Sequence, residues 1–180
     1  MNISELRLET FEYTIGDAIR NKQECVLYSL IPANIVYAGK GTIDYDYCRS
    51  HNYIVYPSVD FGKGLVATKG DIVIVAITKD GWTEHLKIAN IVIQYLKQRG
   101  INVSLKSNDI MIDDKYKVAS YSSINIGDNV IYTGFQVTFN PNVEDIEAIC
   151  KRPLTKIPKG LKDYGIVPQD LLNRILEEYR

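Results

Sequence analysis

Long apolar segments are absent from this sequence. It contains no run of about 18 consecutive apolar residues, the length at which a helix begins to span a membrane. Residues 1–13 also lack the apolar segment that a secretory signal peptide requires. We therefore expect a soluble, cytoplasmic protein that has no membrane partner.

Cysteine is scarce, and its spacing excludes the common metal sites. The three cysteines, Cys25, Cys48 and Cys150, are far apart and form neither a C-x-x-C pair nor a Cys/His pattern typical of zinc sites. An odd number of separated cysteines indicates a reducing compartment. Cys150 lies near the end of a predicted short helix, where we expect it to be a small core residue.

A charge excess of either sign is also absent. The 21 basic and 22 acidic residues give a formal net charge of −1, so no global field would draw the protein to nucleic acid. We therefore expect no nucleic-acid partner. The 180 residues, 46% of them hydrophobic, suffice for one core and are too few for two ordinary domains, which predicts a single domain over residues 1–180.

Residues 107–139 form the most informative segment. Its apolar residues occur in short alternating runs that are interrupted at Asp113-Asp114 and at residues 127–129, a pattern typical of an antiparallel meander. Lys117 lies within this segment, between Tyr116 and Val118. Because an ammonium group is almost never buried without a partner, we expect Lys117 to face either a cleft or the solvent.

The remaining pattern predicts alternating strands and helices. Apolar runs of strand length occur at residues 25–30, 35–37, 53–56, 71–78 and 101–105, and the run at 71–78 is typical of a central strand buried on both faces. Helices are predicted at 44–52, 83–99, 142–149 and 167–178, the first of them short and exposed to solvent. Residues 1–23 fit either a helix or a strand and turn, and the basic segment 151–162 fits an irregular connection.

Several short motifs, in this order along the chain, resemble the lipoate-protein ligase and biotin-protein ligase superfamily. Asn108-Asp109-Ile110 resembles its N-D-I motif, residues 114–119 resemble D-G-K-K-I-(S/A)-G, and Thr133-Gly134 resembles H-G-T-L. In that family the lysine immediately before the apolar residue of the second motif is catalytic. The resemblance places this role on Lys117.

Two glycine-containing motifs extend the resemblance toward the N-terminus. Gly39-Lys40 resembles V-V-I-G-R-x-Q, in which a strand ends in glycine and the next cation reaches the substrate pocket; lysine keeps the charge of that arginine but loses its bidentate geometry. Gly62-Lys63-Gly64 resembles the glycine triplet of R-R-x-S-G-G-G, where backbone N–H groups can approach a carboxylate or phosphate. The paired arginines of that motif fall on Ser58 and Val59, which is a clear departure.

The resemblance implies a fold and an activity. The fold would be α/β (α+β), with a mixed, largely antiparallel sheet on which helices pack. The activity would be that of an ATP-dependent ligase, which converts lipoate, octanoate or biotin to an acyl-adenylate and transfers the acyl group to a lysine of a lipoyl- or biotinyl-type carrier domain. Lys117 would bridge the carboxylate and the α-phosphate, Asn108 and Asp109 would hold nucleotide or Mg²⁺, and Thr133 and Gly134 would contact substrate or nucleotide. ATP and Mg²⁺ are the implied cofactors.

Plainer interpretations stand beside these. Lys117 fits an ordinary solvated strand lysine, Asn108-Asp109 fits a turn, and the two histidines, His51 and His85, fit solvated surface residues. The basic segment 151–162 fits either a solvated loop or a surface for ATP phosphates or an acidic carrier domain. The departures at 58–59, 63 and 120 also fit a protein that keeps the fold without the chemistry and serves as a binding or interaction module. Some family ligases carry an accessory domain, so this chain would need a partner or perform only the transfer step.

Overall fold

Two β-sheets form the framework of the protein. The structure is a computed structural model and describes residues 1–38, 43–57, 65–79 and 83–180. Its strands are β1 (Asn2–Glu5), β2 (Cys25–Leu30), β3 (Ile35–Ala38), β4 (Ile54–Pro57), β5 (Leu65–Ala67), β6 (Ile72–Lys79), β7 (Val103–Lys106), β8 (Asp109–Ile112), β9 (Tyr116–Asn125), β10 (Val130–Val137) and β11 (Ile157–Pro158).

Five α-helices in this part of the chain accompany the strands. They are α1 (Phe11–Arg20), α2 (Tyr45–Ser50), α3 (Glu84–Lys97), α4 (Val143–Cys150) and α5 (Pro168–Glu177). Short 3₁₀ helices occur at Leu8–Thr10 and Leu161–Tyr164. Among the described residues, none of the helices has both the length and the apolar character needed to cross a membrane.

The larger sheet has the strand order β1-β2-β6-β10-β9-β8-β7. Its pairings are antiparallel except for β1 with β2 and the additional pairing of β11 with β9, which are parallel. Strand β6 lies between β2 and β10, and seven of its eight residues are buried. The prediction of a central strand buried on both faces is confirmed, and so is the fold class.

The antiparallel meander is formed by β8, β9 and β10, as predicted. Asp113 and Asp114 in the first turn have φ values of 50° and 54°, and Asp128 and Asn129 in the second have 50° and 59°. Aspartate and asparagine tolerate this left-handed region better than most side chains, and Gly127 before them has φ of 106°. The polar interruptions in the apolar pattern therefore mark both turns.

The two faces of the larger sheet are covered by different elements. Residues 72, 74 and 76 of β6 pack in one core with α3 and α5, whereas residues 73, 75 and 77 pack in a second core with α1 and the smaller sheet, β4-β3-β5. This division follows from the alternation of side chains along a strand. A third cluster joins the smaller sheet to α2 and α4 through Cys48 and Ile149.

Most predicted helix boundaries lie close to the observed ones. Gly100, with φ of 76°, follows the end of α3, and the Asn142 side chain accepts a hydrogen bond of 3.1 Å from the Asp145 N–H at the start of α4. One expectation holds only in part. Helix α2 is largely exposed to solvent as predicted, at Tyr45, Asp46, Arg49 and Ser50, but its Cys48 is fully buried because the helix packs against the small sheet and α4.

Two segments contain structure that local pattern leaves undecided. Residues 1–23 form both a strand and a helix, and the strand pairs in parallel with β2, where Asn2 lies opposite Cys25. Segment 151–162 is not wholly irregular, since Ile157 and Pro158 pair with Tyr116 and Lys117. Both strands depend on partners distant in sequence, so periodicity within the segments does not reveal them.

Candidate active site

Lys117 lines a cleft of about 200 Å³. The lining comes from β5, the turn before β6, β9, β10, α4 and the segment that contains β11. Lys117 lies near the start of β9, where the pairing with β8 shifts register and leaves Val118 without an opposite residue. One third of its side chain is exposed, so it faces the cleft and solvent as its sequence position predicted.

A buried carboxylate lies next to Lys117. Asp109 is the first residue of β8, and only 9% of its side chain is exposed. Its Oδ1 lies 3.9 Å from the Lys117 Nζ, and its Oδ2 accepts a hydrogen bond from the Lys156 Nζ. Two lysines therefore share one carboxylate, and this group of three side chains retains one positive charge at the cleft.

The basic segment 151–162 contributes to the same cleft. Arg152, Leu154, Lys156 and Pro158 are among its lining residues. The Lys159 backbone N–H donates to the Lys117 carbonyl at 2.9 Å, which fixes the segment beside β9. The sequence left this segment open between a solvated loop and a surface that receives anions, and its side chains do lie at the cleft.

Asp71 lies on another wall of the cleft and is 1% exposed. Its carboxylate accepts four hydrogen bonds: from the Thr68 N–H (2.9 Å) and hydroxyl (3.2 Å), from the Gln136 amide (3.1 Å) and from the Phe139 N–H (2.7 Å). Burial raises the pKa of Asp71, and these hydrogen bonds oppose that rise. With four donors directed at it, Asp71 joins the β5–β6 turn to the end of β10 and is not a free base.

Sequence reasoning did not single out Asp71. The available signal was an aspartate directly after Lys69-Gly70 and before a strand of eight residues that is almost wholly buried. A carboxylate at the start of such a strand needs donors, because an unpaired buried charge is costly. Two of the four donors belong to Thr68, three residues earlier, and the other two come from residues 65 and 68 positions further along the chain, which the sequence pattern does not place.

Asn108 does not line the cleft. It lies in the turn between β7 and β8, is exposed, and its side-chain amide donates to the Tyr121 carbonyl at 3.0 Å. Ser107 before it has φ of 58°, as expected in a tight turn. These contacts agree with the turn interpretation of Asn108, and its role toward nucleotide stays a prediction.

Asp109 does not fit the predicted Mg²⁺ site. Both of its carboxylate oxygens face lysine ammonium groups, and an ion held by Asp109 would have to displace them. No group of three or more His, Cys, Asp or Glu side chains that could hold a metal occurs among the described residues. The observed partners of Asp109 are the ammonium groups of Lys117 and Lys156, and its role toward Mg²⁺ stays a prediction.

Thr133 and Gly134 lie in the middle of β10, away from Lys117. Thr133 is 1% exposed, and its hydroxyl is 2.8 Å from the Ser123 hydroxyl. It alternates with Phe135 and Val137 on the face that packs against α3, whereas Gln136 and Thr138 belong to the cleft. The structure therefore does not bring the Thr133 side chain to the cleft, because strand alternation directs it to the opposite face.

His85 is not the solvated residue that its sequence context indicated. Its ring is half-buried, stacks on Tyr121 with centroids 4.6 Å apart, and has Nδ1 3.3 Å from the Ser123 hydroxyl. Burial lowers the pKa of His85. Histidine and serine here lie on the α3 side of the sheet, so they are separate from the cleft that contains Lys117.

Cys150 also differs from its expected place in the core. It lies at the end of α4, is partly exposed, and lines the cleft. Burial raises the pKa of its thiol, and the charge of Arg152 opposes this only in part. The neutral thiol is thereby favoured. Cys48, in contrast, is buried.

Five predicted site residues lie outside the described part of the chain. They are Gly39, Lys40, Gly62, Lys63 and Gly64. The positions of the expected paired arginines, Ser58 and Val59, lie outside it as well. Their predicted contacts with substrate and nucleotide stay predictions.

The sequence matches the model of the lipoyl protein ligase A/B catalytic domain over residues 7–170. Since this match covers most of the chain, the protein belongs to the lipoyl protein ligase A/B catalytic domain family. The superfamily predicted from the short motifs is confirmed. Among curated proteins, no sequence gives a significant match.

Solved structures of similar fold include P. falciparum LipL1 in complex with lipoate (TM-score 0.74, 11% identity), where the match covers 99% of this chain and 59% of that one. A bi-partite lipoate protein ligase from T. acidophilum, described with its E2 lipoyl domain, gives a TM-score of 0.74 at 13% identity. The match covers 98% of this chain and 82% of that one. A lipoate-protein ligase A bound with ATP gives a TM-score of 0.73 at 14% identity. The match covers 98% of this chain and 83% of that one. At these identities the likeness establishes the fold alone, and this chain spans about three fifths of the P. falciparum protein.

Proposed function

We propose that the protein is a lipoate-type protein ligase. It would activate a small carboxylic acid with ATP and then transfer the acyl group to a lysine of a carrier domain. The observation that carries this proposal is the position of Lys117, whose ammonium lines the cleft beside the buried Asp109 carboxylate. Membership of the family adds support, since similar folds occur in proteins described with lipoate and with ATP.

The first step would place two anionic groups in contact. A carboxylate oxygen attacks the α-phosphorus of ATP, the bond to pyrophosphate breaks, and negative charge increases on the oxygens around phosphorus. A preorganised cation at this point lowers the barrier because it already faces the charge that develops. Lys117 would supply this cation, while Lys156 and Arg152, which line the same cleft, would neutralise the remaining phosphate charge.

Asp109 would act on the lysines and not on the substrate. Its carboxylate contacts both ammonium groups and is shielded from solvent. It would therefore hold two long, flexible side chains in place before substrate binds, which reduces the entropy lost during the reaction. Mg²⁺ enters this proposal only with ATP, since it is usually bound through substrate phosphates and water.

The second step would use the carrier domain. The amine of its acceptor lysine attacks the acyl carbonyl of the adenylate, an amide bond forms, and AMP leaves. We propose lipoate, octanoate or biotin as the acid, a lipoyl- or biotinyl-type domain as the acceptor, and residues 1–180 as one catalytic domain. The support is the family, together with a similar fold described with an E2 lipoyl domain.

Pyrophosphate release tests the proposal directly. The protein is mixed with ATP, Mg²⁺ and one acid at a time, and we expect release with at least one of lipoate, octanoate and biotin. Omitting the acid is the control for simple ATP hydrolysis. If none of the three acids causes release, and none becomes attached to an apo-lipoyl or apo-biotinyl domain, the proposed activity is wrong.

One departure from the family motif favours a second candidate, a binding module without catalysis. Ser58 and Val59 stand where the family has paired arginines, so two cations expected near the substrate are missing from that loop. Thermal denaturation separates the candidates. A ligand at about 100 times its Kd adds about 2.7 kcal/mol of stability. Stabilisation by ATP or an acyl-adenylate analogue without turnover would support the binding module.

A further inference from the structure

We propose that Gln136 makes the cleft select carboxylic acids whose far end carries an N–H or O–H donor. This inference rests on the proposed function, which requires a small acid, and it adds which chemical class of acid the cleft takes. The carboxylate of the acid would lie at the ammonium groups of Lys117 and Lys156, and its far end would lie at the side-chain amide of Gln136.

The amide of Gln136 is fixed in one orientation. Its Nε2 donates to the Val66 carbonyl oxygen at 3.0 Å and to Oδ2 of Asp71 at 3.1 Å, so both N–H bonds of the amide are used. A flipped amide would bring Oε1 against two other oxygens, neither of which can donate to it. The partners of Gln136 therefore decide which atom of the amide is left for a ligand.

The remaining atom of the amide, Oε1, is a hydrogen-bond acceptor at the cleft. Gln136 lines the cleft and is partly exposed. Within residues 1–38, 43–57, 65–79 and 83–180, no donor contacts this oxygen, and it is accessible to solvent. It can therefore accept a hydrogen bond from a ligand. A wholly apolar ligand placed over it would remove its water and leave the acceptor unpaired.

Gln136 and the two ammonium groups lie at opposite ends of one row across the larger sheet. Asp109 of β8 lies opposite Ser120 of β9, and Ser120 lies opposite Gln136 of β10, so the three side chains share a face. Neighbouring strands are about 4.8 Å apart, which separates the backbones at Asp109 and Gln136 by about 10 Å. Lys117 and Lys156 contact Asp109. The row is thus comparable in length with a small extended acid such as octanoate or biotin.

The two ends of this row differ in charge, which orients the substrates. The lysine end presents ammonium groups, which attract the carboxylate and the phosphates. At the other end, Gln136 contacts the Asp71 carboxylate, and the apolar side chains of Leu65 and Val66 line the same cleft. A carboxylate opposes phosphate there, so the nucleotide belongs at the lysine end. The Gln136 end suits a tail that is mostly apolar and ends in a donor.

Of the three acids proposed above, biotin carries such donors. Its ureido ring has two N–H groups at the end remote from the carboxylate, whereas the remote ends of octanoate and lipoate have none. A site that hydrogen-bonds a donor of its substrate rejects the analogue that lacks it, because the acceptor is then left unpaired. The chemistry of the Gln136 end therefore favours an acid of the ureido type over one with a wholly apolar tail.

Binding of four acyl-adenylate analogues tests this selection. The probes are non-hydrolysable analogues made from biotin, desthiobiotin, octanoate and lipoate, and their Kd values are measured by isothermal titration calorimetry. Desthiobiotin keeps the ureido group without the sulfur ring, so it separates the donor from the ring shape. We expect the wild type to bind the two ureido analogues about tenfold more tightly than the other two. Gln136→Leu should weaken the ureido analogues alone, by about tenfold. Gln94→Leu, at an exposed position of α3, is the matched control and should keep the wild-type preference.

Two results would overturn the selection by Gln136. One is equal affinity of the wild type for the octanoyl and biotinyl analogues, and the other is an equal weakening of all four analogues by Gln136→Leu. The wild-type comparison decides the matter even if thermal denaturation shows that Gln136→Leu does not fold. Where pyrophosphate is released, Gln136→Leu should raise KM for biotin and leave kcat and the KM for ATP unchanged. A rise in the KM for ATP alone would place the nucleotide at Gln136 and contradict the proposal.

The same measurements separate this inference from the proposed function. Preferential binding of the ureido analogues, without pyrophosphate release from any acid, would overturn the proposed activity and leave the selection by Gln136 supported. Pyrophosphate release with octanoate or lipoate, at a kcat/KM equal to that with biotin, would support the activity and overturn the selection. Failure of the wild type to bind any of the four analogues would overturn both.

Discussion

The Nζ atom of Lys117 lies 3.9 Å from Oδ1 of Asp109, and the other oxygen of this carboxylate accepts a hydrogen bond from Lys156. One aspartate at the start of β8 thus connects a strand lysine to a lysine of the 151–162 segment, 47 residues from that aspartate. The carboxylate is buried and the two ammonium groups are partly exposed, so the lysines can exchange water for a bound anion while the aspartate stays in place.

Replacing Lys117 should abolish adenylate formation while the fold stays intact. We expect Lys117→Ala to lower pyrophosphate release on the order of 10²- to 10³-fold, as is usual when one preorganised donor is lost. The free energy of unfolding should change by about 0.5 kcal/mol or less, because Asp109 keeps Lys156 as a partner. Lys117→Arg should fail almost as badly, since a planar guanidinium cannot replace a compact ammonium between two anionic oxygens.

The control for Lys117 is Lys115→Ala. Lys115 lies two residues earlier, is exposed, and is outside the cleft. It should retain pyrophosphate release within about twofold, since an exposed lysine contributes little to folding or to a cleft it does not contact. If both alanine variants release pyrophosphate like the wild type, Lys117 is an ordinary solvated lysine.

Asp109→Asn separates a positioning role from a metal-binding role. If Asp109 positions the lysines, the variant should lose about tenfold in the rate of pyrophosphate release, equal to about 1.4 kcal/mol, while the Mg²⁺ concentration for half-maximal rate stays unchanged. Asp163→Asn, at an exposed position, is the matched control. A several-fold higher Mg²⁺ requirement in Asp109→Asn alone would instead support the metal-binding role predicted from sequence.

Asp71→Asn should destabilise the protein although it removes a buried charge. Four donors face this carboxylate, and an asparagine would direct its own NH₂ group at one or two of them. We expect a loss of about 2 kcal/mol in the free energy of unfolding, measured with urea. Thr68→Val removes one of the four hydrogen bonds and should cost about 1 kcal/mol. Equal stability of Asp71→Asn and the wild type would show that the four hydrogen bonds contribute nothing net.

His85 should make stability depend on pH in the weakly acidic range. Burial lowers its pKa below the ordinary histidine value of 6.5, so the folded state holds the proton less tightly than the unfolded state. Its stabilising contribution is therefore fully present above 6.5 and is lost as the pH falls through the folded-state pKa. Side-chain NMR titration of His85 should give a lower midpoint pH in the folded protein than in the protein unfolded by urea. The thermal midpoint should fall more between pH 7.5 and 5.5 for the wild type than for His85→Gln.

Gly160→Ala should be strongly destabilising. A Cβ atom at this position would lie 2.1 Å from the Phe139 carbonyl oxygen, and backbone cannot move aside as a flexible side chain can. We expect a loss of about 3 kcal/mol or more in thermal or urea unfolding. Gly16→Ala is the control. The nearest atom to its new Cβ is the end of the Arg20 side chain at 3.7 Å. Because alanine favours a helix interior over glycine, Gly16→Ala should raise the free energy of unfolding by about 0.5–1 kcal/mol. A Gly160→Ala protein as stable as the wild type would contradict the observed approach of the two backbones.

The elements that the sequence predicted correctly have a local signature. The run 71–78 is a central strand because it is almost wholly apolar, and the meander turns where aspartate, asparagine and glycine interrupt the alternation. The motif order along residues 108–134 identified the superfamily, and Lys117 was selected from it. The family is confirmed, while the catalytic role of Lys117 stays a prediction.

Some residues lie elsewhere than the sequence predicted, because the face of the sheet and the neighbours of a side chain are set by the fold. Thr133 was grouped with Lys117 by motif, but one step of strand alternation directs it to the α3 face. The sequence around His85 and Cys150 did not predict how exposed each side chain is. His85 is covered by Tyr121, and Cys150 is partly exposed because it lines the cleft. Such contacts cannot be derived from periodicity within a segment.

By itself the sequence determined the alternation of helices and strands, the turns of the meander and the family, because each follows from residue type and spacing over short distances. Only the tertiary structure decided the strand order, the sharing of Asp109 by Lys117 and Lys156, and the hydrogen bonds that Gln136 and Phe139 donate to Asp71. These contacts join residues as far as 68 positions apart, and they form because a buried carboxylate must find donors wherever the folded chain brings them.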